Sequence, residues 1–432
     1  MSNYSLFFTL AFCAALICSL LVRFYLASRQ IRHVMGNRHT VPTAFARNIP
    51  LVAHQKAAAY TVAKVKVGLL EMTFSAAVLI GWTLLGGLDA LNQALNDSGL
   101  VVYGNFVLQL SLLVLFVLIS GLLDVPFTLY NIFILEERFG FNKMTLTLWL
   151  SDLVKSTAVG IVVGLPIVAL ILWLMGSTGS FWWLWAWTAW MIFNVAVMVL
   201  YPTFVAPLFN KFNPLDDEVL KSRVTALMAR CGFAAKGLFV MDGSRRSAHA
   251  NAYFTGFGAA KRVVFYDTLL KQLNPGEVDA VLAHELGHFK HKHIIKRIMM
   301  IFGISLLGFA LLGWLSSQTW FYAGLGVRPI LAGGNDALAL ILFTAVVPLF
   351  SFLVSPFFAQ LSRTHEFQAD AYAVFQTNSQ DLSTALLKLY QDNASTLTPD
   401  PLFARFYYSH PPALERLGRM GAGINLSPIV TK

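Results

Sequence analysis

The fold turns on residues 274–297: Asn274-Pro275-Gly276-Glu277-Val278-Asp279-Ala280-Val281-Leu282-Ala283-His284-Glu285-Leu286-Gly287-His288, then Phe289-Lys290-His291-Lys292-His293, closed by Lys296-Arg297. Asn274 suits a helix cap, Pro275 the first helical position and Glu277 the third, as in a capping box. The helix begun there sets His284 and His288 one turn apart on one face, with Glu285 beside them. This H-E-x-x-H pattern can hold zinc through two imidazoles while the glutamate handles the protons of an activated water. Its basic flanks exclude a motif buried inside an apolar span and place it at or beside a membrane interface. His291 and His293 read as interfacial positive charge rather than further ligands.

The bulk composition makes the membrane the main solvent. Of 432 residues, 56% are hydrophobic and 12% charged, and mean hydropathy is +0.62. Soluble domains carry about 25% charged residues. A net charge of +10 would suit nucleic acid. In a membrane protein it collects instead in cytoplasmic loops, so lipid is expected as a partner and nucleic acid is not. Of three cysteines, Cys13 and Cys18 lie in an apolar segment and Cys231 in a polar one. That excludes a disulfide framework, and no cysteine is close enough to the motif for a Cys-rich zinc site.

Apolar runs of about 17–25 residues can cross a bilayer as helices. Seven are read, at 5–22, 67–94, 104–133, 156–176, 181–207, 298–317 and 335–358. The first lacks a basic leader and runs straight into Arg23, so it reads as a retained anchor. Glu71 in the second span and Asp124 in the third are expected to face the protein interior. Seven spans put 23–66, 134–155, 208–297 and everything after 358 on one side, with 8, 3, 14 and 6 lysines and arginines. The other side holds only Arg328. This bias predicts an external or lumenal N-terminus and cytoplasmic polar regions. The expected division is a membrane region of five helices (1–207), a cytoplasmic peptidase segment (208–297), two further membrane helices (298–358) and a C-terminal segment (359–432). The fold class is thus mainly α, with a small sheet beside the motif. No paired, interrupted helices mark a transporter built from inverted repeats.

Within 208–297, Asn213-Pro214-Leu215-Asp216-Asp217 starts a helix to Cys231, with Leu220, Val224, Leu227 and Met228 on one face. Strands are read at 237–242, 251–255 and 262–266, the last two joined through Gly256 and Gly258. A catalytic zinc site wants a third protein ligand. Glu366, in Ser362-Arg363-Thr364-His365-Glu366-Phe367-Gln368-Ala369-Asp370, can complete the set. Asp370, one turn on, can accept from a ligand histidine and fix its tautomer. The same spacing also suits a helical salt-bridge face. His365 competes as a ligand, but turns away if Glu366 and Asp370 face the metal.

Five stretches together resemble the type 1 CAAX prenyl proteases, integral-membrane zinc endopeptidases. They are Glu136-Glu137-Arg138-Phe139-Gly140-Phe141-Asn142-Lys143, the run from Asp242 to Gly256, the motif His284 to His288, Arg363 to Asp370, and Ser409-His410-Pro411-Pro412 with Glu415-Arg416. The resemblance spans nearly the whole chain. It implies seven helices around a chamber, and one Zn2+ per chain on His284, His288 and Glu366, with Glu285 as catalytic base. It further implies that Asn251 lies on an edge strand aligning a peptide substrate and that His410 stabilises the oxyanion. Arg363 would pair with a carboxylate near the site. The plain tail, without a retrieval signal, suits a bacterial inner-membrane member; a eukaryotic one would sit in the endoplasmic reticulum. The expected activity is C-terminal processing of prenylated or similar peptides. A protease that clears misfolded membrane proteins would use the same site. A transporter with incidental histidines is the reading from another class, motivated by Glu71 and Asp124.

Overall fold

Among the described residues, seven helices are long and apolar enough to cross a membrane: Asn3–Gly36, Leu51–Trp82, Asn105–Glu136, Leu146–Ser177, Gly179–Phe209, His293–Leu315 and Asp336–Gln376. The structure, a computed structural model, describes residues 2–233, 237–255, 262–329 and 334–421. The first helix has 34 residues. At 1.5 Å per residue that is about 51 Å, against a hydrocarbon core of about 30 Å. Its second half therefore extends beyond the bilayer core, and much of the expected loop 23–66 is helix.

The second span is displaced from its expected position. It runs from Leu51 to Trp82, and 87–97 forms a separate short helix. Gly86, at φ +78°, turns the chain in the left-handed region that glycine tolerates. The unbroken apolar run Leu84-Leu85-Gly86-Gly87-Leu88 hides this turn from a hydropathy reading. In the short helix Asp89 accepts from Arg328 at 2.8 Å, so the single basic residue of that side is paired. Glu71 accepts from Asn131 across two spans at 2.5 Å. Asp124 does not pack into the interior; it is exposed. The spans bury only 6–44% of their most apolar stretches. Most of their apolar surface is therefore left for lipid or for the space between the helices.

The sheet has four strands, one more than expected: β1 (Phe212–Pro214), β2 (Gly237–Met241), β3 (Ala252–Thr255) and β4 (Arg262–Tyr266), in the order β1-β2-β4-β3. β2 and β4 are parallel and the outer pairs antiparallel. β1 escaped notice because it has three residues and ends in proline, which only an edge strand tolerates. The connection through Gly256 and Gly258 lies outside the described residues. The helix Glu218–Arg230 is capped by Asp217 and buries Leu220, Val224, Leu227 and Met228, as its spacing predicts. One apolar core joins this helix, the sheet and the motif helix through Leu227, Phe265, Leu282 and Leu286. A second lies among the membrane helices, around Phe12, Leu112 and Phe321.

Candidate metal centre

The motif helix runs from Pro275 to Lys290 and starts with the expected capping box. Asn274 Oδ1 accepts from Glu277 N at 2.9 Å, and Glu277 Oε2 accepts from Asn274 N at 2.8 Å. The last span continues, after a tight turn at Phe352–Val354, into the helix Ser355–Gln376. The two helices touch backbone to backbone at Gly287. A methyl there would lie 2.9 Å from Ala369 Cα and 3.1 Å from its carbonyl oxygen.

This close approach brings three donors together. His284 Nε2 and His288 Nε2 are 3.3 Å apart, and each is 3.4–3.5 Å from a Glu366 oxygen. Four ligands at about 2.0–2.2 Å around a tetrahedral zinc have donor–donor edges of about 3.3–3.6 Å. The His284–His288 edge fits that ion, and the Glu366 carboxylate presents one oxygen to each imidazole at a similar distance. His284 Nδ1 lies 2.8 Å from Asp370 Oδ1. The carboxylate accepts, so a hydrogen sits on Nδ1, and Nε2 is the ring atom turned towards the other donors. Glu366 Oε2 is buried without a hydrogen-bond partner. Two ring nitrogens and a carboxylate turned towards one point draw positive charge there. The site draws positive charge: against its burial, Asp370 and Glu366 push the His284 imidazole up to about 9. Burial and the neighbouring His284 charge push His288 down to about 4.

Glu285 adjoins the donors. Burial pushes its carboxyl up; His284 pulls it down and Glu366 pushes it further up. His410 Nε2 is 3.4 Å from Glu366 Oε1, and its Nδ1 is bonded to Ser409 Oγ at 3.0 Å. Its side chain is largely exposed, and desolvation by the surrounding protein lowers its pKa. It borders a cavity of about 450 Å³ that Tyr60, Lys64, His249, Tyr390 and Tyr408 help to line. Asn251 immediately precedes β3, which is the sheet edge; its carbonyl accepts from Tyr266 N at 3.0 Å. Arg363 is buried and donates to Glu415 at 2.5 Å, not to the carboxylates of the donor set. His365 stands outside that set.

Two residues carry more than their sequence reading gave them. Arg416 forks onto Asp370, donating from Nε at 2.8 Å and from an Nη at 2.5 Å. It lay in a quoted motif, but nothing in the spacing linked it to a residue 46 positions away. His293 is not interfacial charge: it is buried, with Nδ1 3.1 Å from His288 Nδ1. Its burial beside exposed Lys290, His291 and Lys292 had no signal in composition.

The quoted stretches also meet one another. Phe141 stacks on His249 at 4.5 Å, and Asn142 bridges to Ser247. Glu136 accepts from Tyr60 at 2.5 Å and lies 3.5 Å from His249. The loop after the third span thus grips the segment that leads into β3.

Comparison with known proteins agrees with this architecture. A family model described as CAAX prenyl protease N-terminal, five membrane helices, matches residues 30–211, and that of peptidase family M48 matches 214–422. The CAAX prenyl protease 1 homolog of Arabidopsis thaliana is 40% identical over 69% of this chain and 70% of its own length. The mouse homolog is 31% identical over 91% of each. The crystal structure of S. mikatae Ste24p matches with a TM-score of 0.90 and 31% identity, covering 96% of this chain and 99% of that one. The chain belongs to the M48 peptidase family, in its CAAX prenyl protease branch, and is a multi-pass membrane metallopeptidase.

Proposed function

We propose that the chain is an endopeptidase with one Zn2+ held by His284, His288 and Glu366, acting on the C-terminal sequences of prenylated or similar peptides. The observation that carries the metal is the gathering of one donor atom each from His284, His288 and Glu366 within 4.8 Å of one another. The substrate class is supported by the likeness to proteins named CAAX prenyl protease 1.

A zinc held by His284, His288 and Glu366 would supply a Lewis acid for the scissile carbonyl and would lower the pKa of a water to about 7. The protein does the rest. Glu285 takes the proton of the attacking water and passes it to the leaving amine, and its raised pKa suits that exchange. His410 donates from Nε2 to the carbonyl oxygen as charge develops there. Its Nδ1 bond to Ser409 holds the ring for this. The free edge of β3, with Asn251 at its entry, pairs with an extended peptide through backbone groups. Asp370 orients His284, and Arg363 braces the C-terminal segment through Glu415.

The charge bias supports a centre on the cytoplasmic face, of the bacterial inner membrane or of the endoplasmic reticulum. The four-part division at 207, 297 and 358 is a functional one: 208–297 carries His284 and His288, and 359–432 carries Glu366. The test compares a farnesylated C-terminal peptide with its unlipidated twin. Much faster cleavage of the farnesylated form supports the reading. Equal cleavage of both contradicts it and favours general clearance of membrane proteins.

A further inference from the structure

His284 has a carboxylate behind it; His288 has a different partner. The chain leaves the motif helix at Lys292, whose φ of +56° lies in the left-handed region that non-glycine residues seldom adopt. This turn brings His293, first residue of the span His293–Leu315, back against His288. His293 is 3% exposed. Its Nδ1 is 3.1 Å from His288 Nδ1, and its Nε2 is 2.8 Å from Gln368 Oε1. His365 stacks on its ring at 4.0 Å and 13°, which fixes the ring plane.

These contacts order the hydrogens. An amide oxygen only accepts, so His293 carries its hydrogen on Nε2 and a lone pair on Nδ1. His288 must then donate from Nδ1, which leaves its Nε2 lone pair facing His284 and Glu366. The opposite order puts the Gln368 amino group against Nε2 and a hydrogen on His293 Nδ1. His288 Nδ1 would then accept, and the His288 hydrogen would sit on Nε2, blocking the donor set. Only the first order is compatible with a three-ligand centre.

We propose that His293, backed by Gln368, is a positioning residue that fixes His288 in the tautomer able to bind metal. The proposal rests on the metal-centre reading and deepens it. Groups behind ligand histidines typically contribute about 10- to 100-fold in metal affinity.

The test measures zinc affinity by competition with a chromophoric chelator, and the visible spectrum of the Co2+-loaded protein, on the full chain in detergent. His293→Leu removes the acceptor and should weaken zinc binding about 10- to 100-fold. His293→Asn keeps an acceptor oxygen near the place of Nδ1 and should recover most of the loss. Gln368→Lys changes an exposed side chain that touches no ligand, yet sets a donor against His293 Nε2. It should weaken zinc binding and alter the Co2+ spectrum while the metal-free protein melts as the parent does. Parent-like affinity in both His293→Leu and Gln368→Lys overturns the proposal. So does equal loss in His293→Leu and His293→Asn with Gln368→Lys unaffected. A parent that binds no zinc is a different failure, that of the metal centre itself.

Discussion

Replacing Arg416 tests the electrostatics behind the ligands. Arg416 and Asp370 have side chains only 7% and 4% exposed. Their two charge-assisted bonds are 2.8 and 2.5 Å long, and Asp370 has one further partner, His284 Nδ1 at 2.8 Å. Arg416→Leu strands the Asp370 charge with that single donor. Breaking a buried pair from one side costs about 3–5 kcal/mol. Two charge-assisted bonds at about 1.5–3 kcal/mol each give about 3–6 kcal/mol, which overlaps that range. Asp370→Asn leaves Arg416 only the Glu366 oxygen 4.0 Å from its Nη1 and should also be destabilising. The double variant leaves neither charge uncompensated, so its loss should fall short of the sum by about 1–3 kcal/mol. Denaturant unfolding of the chelated protein in detergent, followed by tryptophan fluorescence, reads all four members of the cycle. Additive losses, or an Arg416→Leu loss below about 1 kcal/mol, would refute the argument that a buried pair anchors His284.

Other predictions address how the centre is assembled. Gly287→Ala puts a methyl 2.9 Å from Ala369 Cα, where no side chain can yield. It should destabilise by about 1–3 kcal/mol and lower zinc affinity by parting the two ligand helices; equilibrium unfolding and chelator competition measure both effects, and an unchanged affinity counts against the close approach as the device that gathers the donors. Asp400 caps the helix that precedes His410, accepting from Leu402 N and Phe403 N, and is gripped by Arg29 of the first helix at 3.0 Å. Asp400→Ala should lose about 1 kcal/mol from the cap alone, and steady-state assays should show kcat/KM falling while zinc content, measured separately, stays at the parent value. Loss of zinc instead would mean that this segment supports the ligands and not only His410.

Much of this was legible in the sequence, for physical reasons that differ from part to part. Span number survives errors of position because bilayer thickness demands long apolar runs. Span ends do not, as the break at Gly86 shows, because a turn of glycines between leucines has no polar signature. The motif helix was legible because capping is local: Asn274 and Glu277 carry the whole signal. Glu366 and Asp370 share a helical face, so a four-residue spacing located them. Arg416 and His293 act across tertiary contacts, on Asp370 and His288, that no local rule connects. The edge position of β3 likewise depends on strand order, which the crossover between β2 and β4 decides.

The central claim is that His284, His288 and Glu366 hold a zinc ion that Glu285 serves as base. Zinc content and cleavage of a farnesylated peptide, measured together on the parent and on Glu285→Gln, test it most directly. The account predicts one zinc per chain in both proteins and a rate about 10²- to 10⁴-fold lower in the variant. A parent without zinc, or a Glu285→Gln protein that cleaves at the parent rate, would contradict it.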